Sequence, residues 1–140
     1  MAGRIEIERD DRGVETIWLN NQDHRNTLNN SLIDDMAAAI HRSSSDNQCH
    51  VIIIRGRGGV FCAGRELRDL AALLDADISL IQATYHRLRM LNEALYLCRK
   101  PTIAVVKNMH LVPGPLWQAG AILLLLKMML PLPTQRFGTG

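Results

Sequence analysis

The sequence predicts an α/β layer fold in which short parallel strands alternate with helices. Three observations carry it. Val51-Ile52-Ile53-Ile54, between His50 and Arg55, reads as a strand buried on both faces, the kind a parallel sheet makes. Pro101 then marks the break into a second such run, Thr102 to Val106. Between them lie stretches of helical period long enough for a crossover, so the two runs are expected in one largely parallel sheet.

The elements follow in order. Arg4 to Arg9 alternates polar and apolar, as does Val14 to Leu19, and Asp10-Asp11-Arg12-Gly13 between them is turn chemistry. This predicts a hairpin in which Gly13 takes the awkward backbone angle. Asn20 to Asn26 is a polar loop. Asn30 or Ser31 is placed to cap a helix from Leu32, with Leu32, Ile33, Met36 and Ile40 at helical spacing and Ser43 to Asn47 ending it. After the buried strand, Gly56, Gly58 and Gly59 form a turn open to positive φ. A helical start is expected from Glu66 to Leu74, striped by Leu67, Leu70, Leu73 and Leu74. Asp75-Ala76-Asp77 interrupts it. A longer helix, about Ile78 to Leu97, carries Leu80, Ile81, Tyr85, Leu88, Leu91 and Leu95 on one face, with Met90 and Tyr96 read as core.

Composition narrows the function classes. A chain of 140 residues makes one domain at most, large enough for a core. The net charge of +2 singles out no partner, and no basic cluster interleaved with aromatics speaks for nucleic acid. Cys49, Cys62 and Cys98 are odd in number and widely spaced, and the start MAGRIEIERDD has no apolar signal region. Free thiols in a reducing cytoplasm fit best. The apolar run Ala119 to Leu126 is too short to span a bilayer and Lys127 closes it, so no membrane association is expected. His24, His41, His50, His86 and His110 stand at no metal-ligand spacing.

One corner holds the candidate chemistry. Phe61-Cys62-Ala63-Gly64 brings small residues and bare backbone, and Arg65-Glu66-Leu67 opens the next helical pattern. Small residues beside free N–H groups suit a site where a carbonyl oxygen approaches the main chain. An ordinary strand–turn–helix corner would look the same on pattern alone.

RGRGGVFCAGREL also resembles the first oxyanion-hole segment of the crotonase family, the enoyl-CoA hydratases and isomerases, G-x-G-x-x-F-x-A-G-x-D-[LI]. Gln22 to Leu28, QDHRNTL, resembles that family's P-x-x-x-N-A-L loop, and Cys98 to Val106, CRKPTIAVV, resembles its K-P-[TV]-I-A-A-V strand. Leu32 to His41 fits the helix after the N-A-L loop. The likeness runs from Arg4 to Val106, so it implies the N-terminal part of a crotonase-like ββα spiral over residues 1–106, a truncated form of a longer fold. It also implies acyl-CoA thioesters as ligands and lyase or isomerase chemistry in the full family. CoA would be part of the substrate rather than a separate cofactor, and copies would assemble as trimers. By the same resemblance the backbone N–H of Arg65 is the first oxyanion donor. Ala63, Glu66 and Leu67 line the CoA and adenine pocket, and Arg25 lies near the phosphates. Glu66 stands where the family usually has Asp.

Past Val106 the resemblance stops, and residues 107–140 read as an aberrant tail. Aligned without gaps, Pro113 falls on the glycine whose N–H is the family's second oxyanion donor, and proline has no N–H. Leu116 and Arg136 fall on the two catalytic acid positions. The genetic code accounts for this if the tail is read one base out of frame. Met109-His110 then forces alanine, Trp117-Gln118 forces alanine again and Met128-Met129 forces aspartate, each where the family has or tolerates that residue. Leu116 cannot revert to Glu under that shift. Two functions therefore compete: an acyl-CoA enzyme of impaired activity, or a non-catalytic remnant that binds CoA weakly or joins intact relatives.

Overall fold

β1 (Arg4–Arg9) and β2 (Val14–Asn20) pair antiparallel as the expected hairpin. The structure is a computed structural model, and it describes residues 3–107. Asp10 builds the turn, its Oδ1 accepting the N–H groups of Arg12 and Val14 at 3.0 and 2.9 Å. Gly13 takes φ +76°, and a Cβ there would meet the Gln48 carbonyl at 2.5 Å. β2 runs parallel to β3 (Val51–Gly56), and β3 parallel to β4 (Thr102–Val105), giving the order β1-β2-β3-β4. The two β-branched runs thus lie side by side, with Ile54 opposite Ala104.

Alternation decides the faces. Glu15, Ile17 and Leu19 of β2 and Ile52 and Ile54 of β3 are buried on the inner face. Helix α1 (Asn30–Ser45) covers it with Leu32, Ile33, Met36, Ala39 and Ile40, all buried. On the outer face Trp18 lies between two guanidinium groups, Arg55 at 4.3 Å and Arg57 at 3.8 Å from the ring centre. Arg57 also donates to Glu6 at 3.0 Å and to Glu8, which fixes the point where β3 leaves the sheet.

The cap of α1 is Asn29, one residue before Asn30 and two before Ser31. Asn29 has the extended backbone a cap needs, and its Oδ1 accepts the Leu32 N–H at 2.8 Å. Asn30 is engaged elsewhere, with Asp69 and Arg65. Helix α2 (Leu67–Ala71) is shorter than the Glu66–Leu74 stripe, and Leu67 and Leu74 are exposed.

Helix α3 (Ile78–Tyr96) is capped by Asp77 and packs on α1 through Thr84, Leu88, Leu91, Ala94 and Leu95. Leu80 and Tyr85, expected on that face, are 43% and 67% exposed, and Met90 and Tyr96, expected as core, are also exposed. The reason is register. The line 84, 88, 91, 95 follows i+3/i+4 steps, and Tyr85, Met90 and Tyr96 each lie one residue, or about 100°, off it, whereas Leu80 is on it, one turn before Thr84, in the exposed first turn of the helix.

A buried carboxylate ties the layers together. Glu15 is 3% exposed and accepts from Arg9 Nε at 3.0 Å and from the Ser43 hydroxyl, while Arg9 also pairs with Asp46 at 2.6 Å. Burying this charge is tolerable because it is paired and hydrogen-bonded. The carboxyls of Asp46, Asp10, Glu6 and Glu8 are held below their ordinary values. The Gln48 N–H and then Arg9 do this for Asp46, the Val14 N–H and then Arg12 for Asp10. Asn20 and then Arg57 lower Glu6, and the Trp18 N–H and then Arg57 lower Glu8. Folded pKa values below unfolded ones give stability that is complete above the ordinary 3.8 and 4.5 and is lost as pH falls through the folded values. The urea midpoint should therefore hold from neutral pH to about pH 5 and decline below it. A midpoint that is level or rising down to about pH 3 would contradict this coupling.

Candidate functional site

Two loops meet at the ends of β2 and β3, and Asn26 joins them. Its side chain is fully buried, its Oδ1 accepting the Asn21 N–H at 2.8 Å and its Nδ2 donating to the carbonyls of Arg57 at 2.8 Å and Val60 at 2.7 Å. Both Arg25 and Asn26 adopt left-handed backbone, φ 51° and 56°, so the chain doubles back after the short 3-10 turn at Gln22–His24. That reversal presents the Arg25 carbonyl to the second loop, where it accepts the Ala63 N–H at 3.1 Å.

The second loop is shaped by its glycines. Gly58 and Gly59 take positive φ, as expected, at 70° and 81°. Gly56 does not. Its φ is −99°, and it is required for closeness instead, since a Cβ there would lie 1.9 Å from the Val60 carbonyl oxygen. Phe61 is buried and donates its N–H to Lys107 beyond β4 at 3.0 Å.

The N–H groups of this loop separate into used and unused. Those of Phe61, Ala63, Gly64 and Glu66 have partners: Lys107, Arg25, the Cys62 sulfur and Leu28. Those of Cys62 and Arg65 meet no acceptor among the described residues. Arg65 is held in a distinctive way. It forms an isolated parallel bridge with Leu28, whose N–H bonds the Gly64 carbonyl at 2.7 Å and whose carbonyl accepts the Glu66 N–H at 3.0 Å. With both flanking peptides bound to Leu28, the N–H of Arg65 itself is turned to the opposite edge. A fixed, unspent donor beside small residues is what a carbonyl oxygen with growing negative charge requires.

Of the residues singled out by sequence, Arg25, Ala63, Arg65 and Glu66 are drawn together by these backbone bonds. Leu67 begins α2 with its side chain exposed. The Arg25 guanidinium is exposed and makes no hydrogen bond or ion pair among the described residues. Pro113, Leu116 and Arg136 lie outside the described residues. Sequence reasoning missed the Asn26 side chain as the brace of both loops, although Asn26 is the Asn of the N-A-L pattern. It also missed Asp69, whose Oδ2 accepts the Asn30 N–H at 2.9 Å. Burial pushes the Cys62 thiol up to about 11, against the pull of the Gly64 N–H. At pH 8 only roughly 10⁻³ of this half-buried thiol is thiolate, so iodoacetamide should label native Cys62 far more slowly than the unfolded chain. Prompt native labelling at Cys62 would contradict the burial.

The sheet order, the helices packed on its inner face and the paired loops are those of the crotonase fold. An enoyl-CoA hydratase/isomerase (crotonase) from Legionella pneumophila superposes with a TM-score of 0.70 at 22% identity, over 76% of this chain and 41% of the other. An enoyl-CoA hydratase/isomerase from Mycobacterium paratuberculosis matches at 30% identity and TM-score 0.66, over 76% and 42%. The sequence model of the Enoyl-CoA hydratase/isomerase family matches residues 9–114. Enoyl-CoA hydratase domain-containing protein 2, mitochondrial, of Bos taurus is 32% identical over 104 residues, 74% of this chain and 34% of that protein. The 3-hydroxyisobutyryl-CoA hydrolase, mitochondrial, of the same species is 30% identical over 70% of this chain and 26% of its own length. The chain belongs to the enoyl-CoA hydratase/isomerase family, and it spans about a third of the length of the curated relatives it matches. No helix among the described residues is long and apolar enough to cross a membrane.

Proposed function

We propose that this chain binds acyl-CoA thioesters, with the thioester oxygen accepting the Arg65 N–H, and that it turns them over poorly. The observation that carries the reading is the N–H of Arg65, fixed in direction by the Leu28 bridge and left without an acceptor among the described residues. In this reading the exposed Arg25 guanidinium meets the CoA phosphates, and Ala63, Glu66 and Leu67 line the CoA and adenine pocket. CoA arrives as part of the ligand, and the site calls for neither a separate cofactor nor a metal. The relatives above include an enoyl-CoA hydratase domain-containing protein and a 3-hydroxyisobutyryl-CoA hydrolase, so the shared element is the CoA thioester and not one reaction.

The impairment rests on residues 107–140, which we read as a tail translated out of frame after the family-like residues 1–106. It lacks the second N–H donor at Pro113 and the acids at Leu116 and Arg136. The coding DNA around codons 106–109 tests this directly, because alignment with an intact relative's gene must show one base missing there. A reducing cytoplasm and association of copies as trimers complete the proposal. A non-catalytic remnant that joins intact relatives is the second reading, favoured by the same three substitutions.

Thermal unfolding of the purified 140-residue chain with butyryl-CoA tests the binding. Ligand at 100 times its Kd should stabilise the fold by about 2.7 kcal/mol, raising Tm by several degrees. An unchanged Tm at millimolar butyryl-CoA would remove the thioester assignment.

A further inference from the structure

We propose that the Arg65 side chain is a positioning residue, a clamp that fixes the direction of its own backbone N–H. This rests on the thioester reading above and deepens it. The bridge to Leu28 is a single isolated one with no strand on either side, so two backbone bonds alone hold the peptide. The guanidinium adds a second layer. Its Nη2 donates to Asn30 Oδ1 at 2.9 Å, its Nη1 to the Leu28 carbonyl at 3.3 Å, and Asp69 Oδ2 lies 3.6 Å away.

These partners are rigid in turn. Asn30 opens α1 two residues before Leu32 and Ile33, which are in the core, and Asp69 grips the Asn30 N–H at 2.9 Å. The Arg65 side chain is 11% exposed, so its bonds face little competition from water. The planar fork suits this work, reaching a carbonyl, an amide oxygen and a carboxylate from one group, which an ammonium on a flexible stem does less well. Leu28 is the shared node. Its carbonyl accepts from both the Glu66 N–H and the Arg65 guanidinium, so any rotation of the peptide before Arg65 strains side-chain and backbone bonds together. A donor must keep its angle to the oxyanion, because hydrogen bonds weaken steeply below about 120°.

The test uses the full-length chain, ¹⁵N-labelled, with Arg65→Ala, Arg65→Lys and Asp69→Asn. Two readouts are taken: the order parameter of the residue-65 amide, and the infrared stretch of a ¹³C-labelled butyryl-CoA carbonyl at saturating ligand. In the native protein the amide should be as rigid as β3, near 0.85, and in Arg65→Ala it should drop below about 0.6 while β3 amides stay unchanged. Arg65→Lys and Asp69→Asn should fall between. The low-frequency shift of the carbonyl stretch should shrink by about twofold or more in Arg65→Ala, a change that loss of stability alone does not produce in the folded, ligand-saturated fraction. An equally rigid amide in Arg65→Ala overturns the clamp, as does an undiminished carbonyl shift. If Arg65→Ala does not fold, the Lys and Asn variants decide by the same criteria. A native protein that shifts no carbonyl, with the amide still loosened by Arg65→Ala, would sink the thioester reading and leave the clamp standing.

Discussion

Turnover of a short enoyl-CoA by this 140-residue chain should fall at least ~10²–10³ below that of a full-length relative, the typical loss when one oxyanion donor is removed. In the reading proposed above, Pro113 falls on the second donor position, and proline has no N–H to give. By the same reading Leu116 and Arg136 fall on the acid positions, and general acid–base help worth ~10²–10⁴ would be lost with them. The factors need not multiply, since groups that act as a unit are not additive. Restoring the inferred reading frame should rebuild G-A-G and Pro-Glu segments and return activity, provided the rest of the gene follows. Steady-state hydration monitored by loss of the conjugated thioester absorbance checks both arms. Turnover within tenfold of a full-length relative would contradict the impairment. A frame-restored protein as inert as this one would weaken the acyl-CoA assignment itself.

Asn26→Ala should be the most damaging single change among the described residues of the site. It strands the Asn21 N–H and the Arg57 and Val60 carbonyls, which have no water to turn to beside a fully buried side chain. Each buried group left unpaired costs ~1–3 kcal/mol, and the alanine must also hold the left-handed φ of 56°. A total near 4 kcal/mol is a large share of the ~5–15 kcal/mol a domain possesses. Asn26→Asp should recover little of it at neutral pH, because it keeps the acceptor for Asn21 but sets a buried carboxylate oxygen against the Arg57 and Val60 carbonyls. Urea unfolding of the three proteins reads the order directly. An alanine variant within about 0.5 kcal/mol of the native chain would mean that the two loops are held by something else.

The parts that sequence made legible are those governed by local chemistry. Val51–Ile54 and Thr102–Val105 pair as parallel neighbours because β-branched runs between breakers have few other uses. Asp10 and Gly13 announce their turn for equally local reasons. The errors arise where a partner decides. Helix α3 has apolar residues on more than one face, and only α1 chooses the line through Thr84 and Leu91 over that through Tyr85. Gly56 looked like a positive-φ glycine, yet its role comes from the Val60 carbonyl four residues away folding back on it. The Phe61–Gly64 corner was legible as a bend of small residues from its composition and its family pattern. The Arg65 side chain was not, because its partner Asn30 is 35 residues distant and no spacing rule reaches that far.

The central claim is that the Arg65 N–H receives a thioester oxygen. Titrating the ¹⁵N-labelled chain with butyryl-CoA, and separately with CoA alone, tests it most directly. The account predicts that the Arg65 amide proton moves downfield with the thioester and stays near its free position with CoA, while loop resonances around Arg25 respond to both. An Arg65 amide that moves no further with butyryl-CoA than with CoA would contradict it.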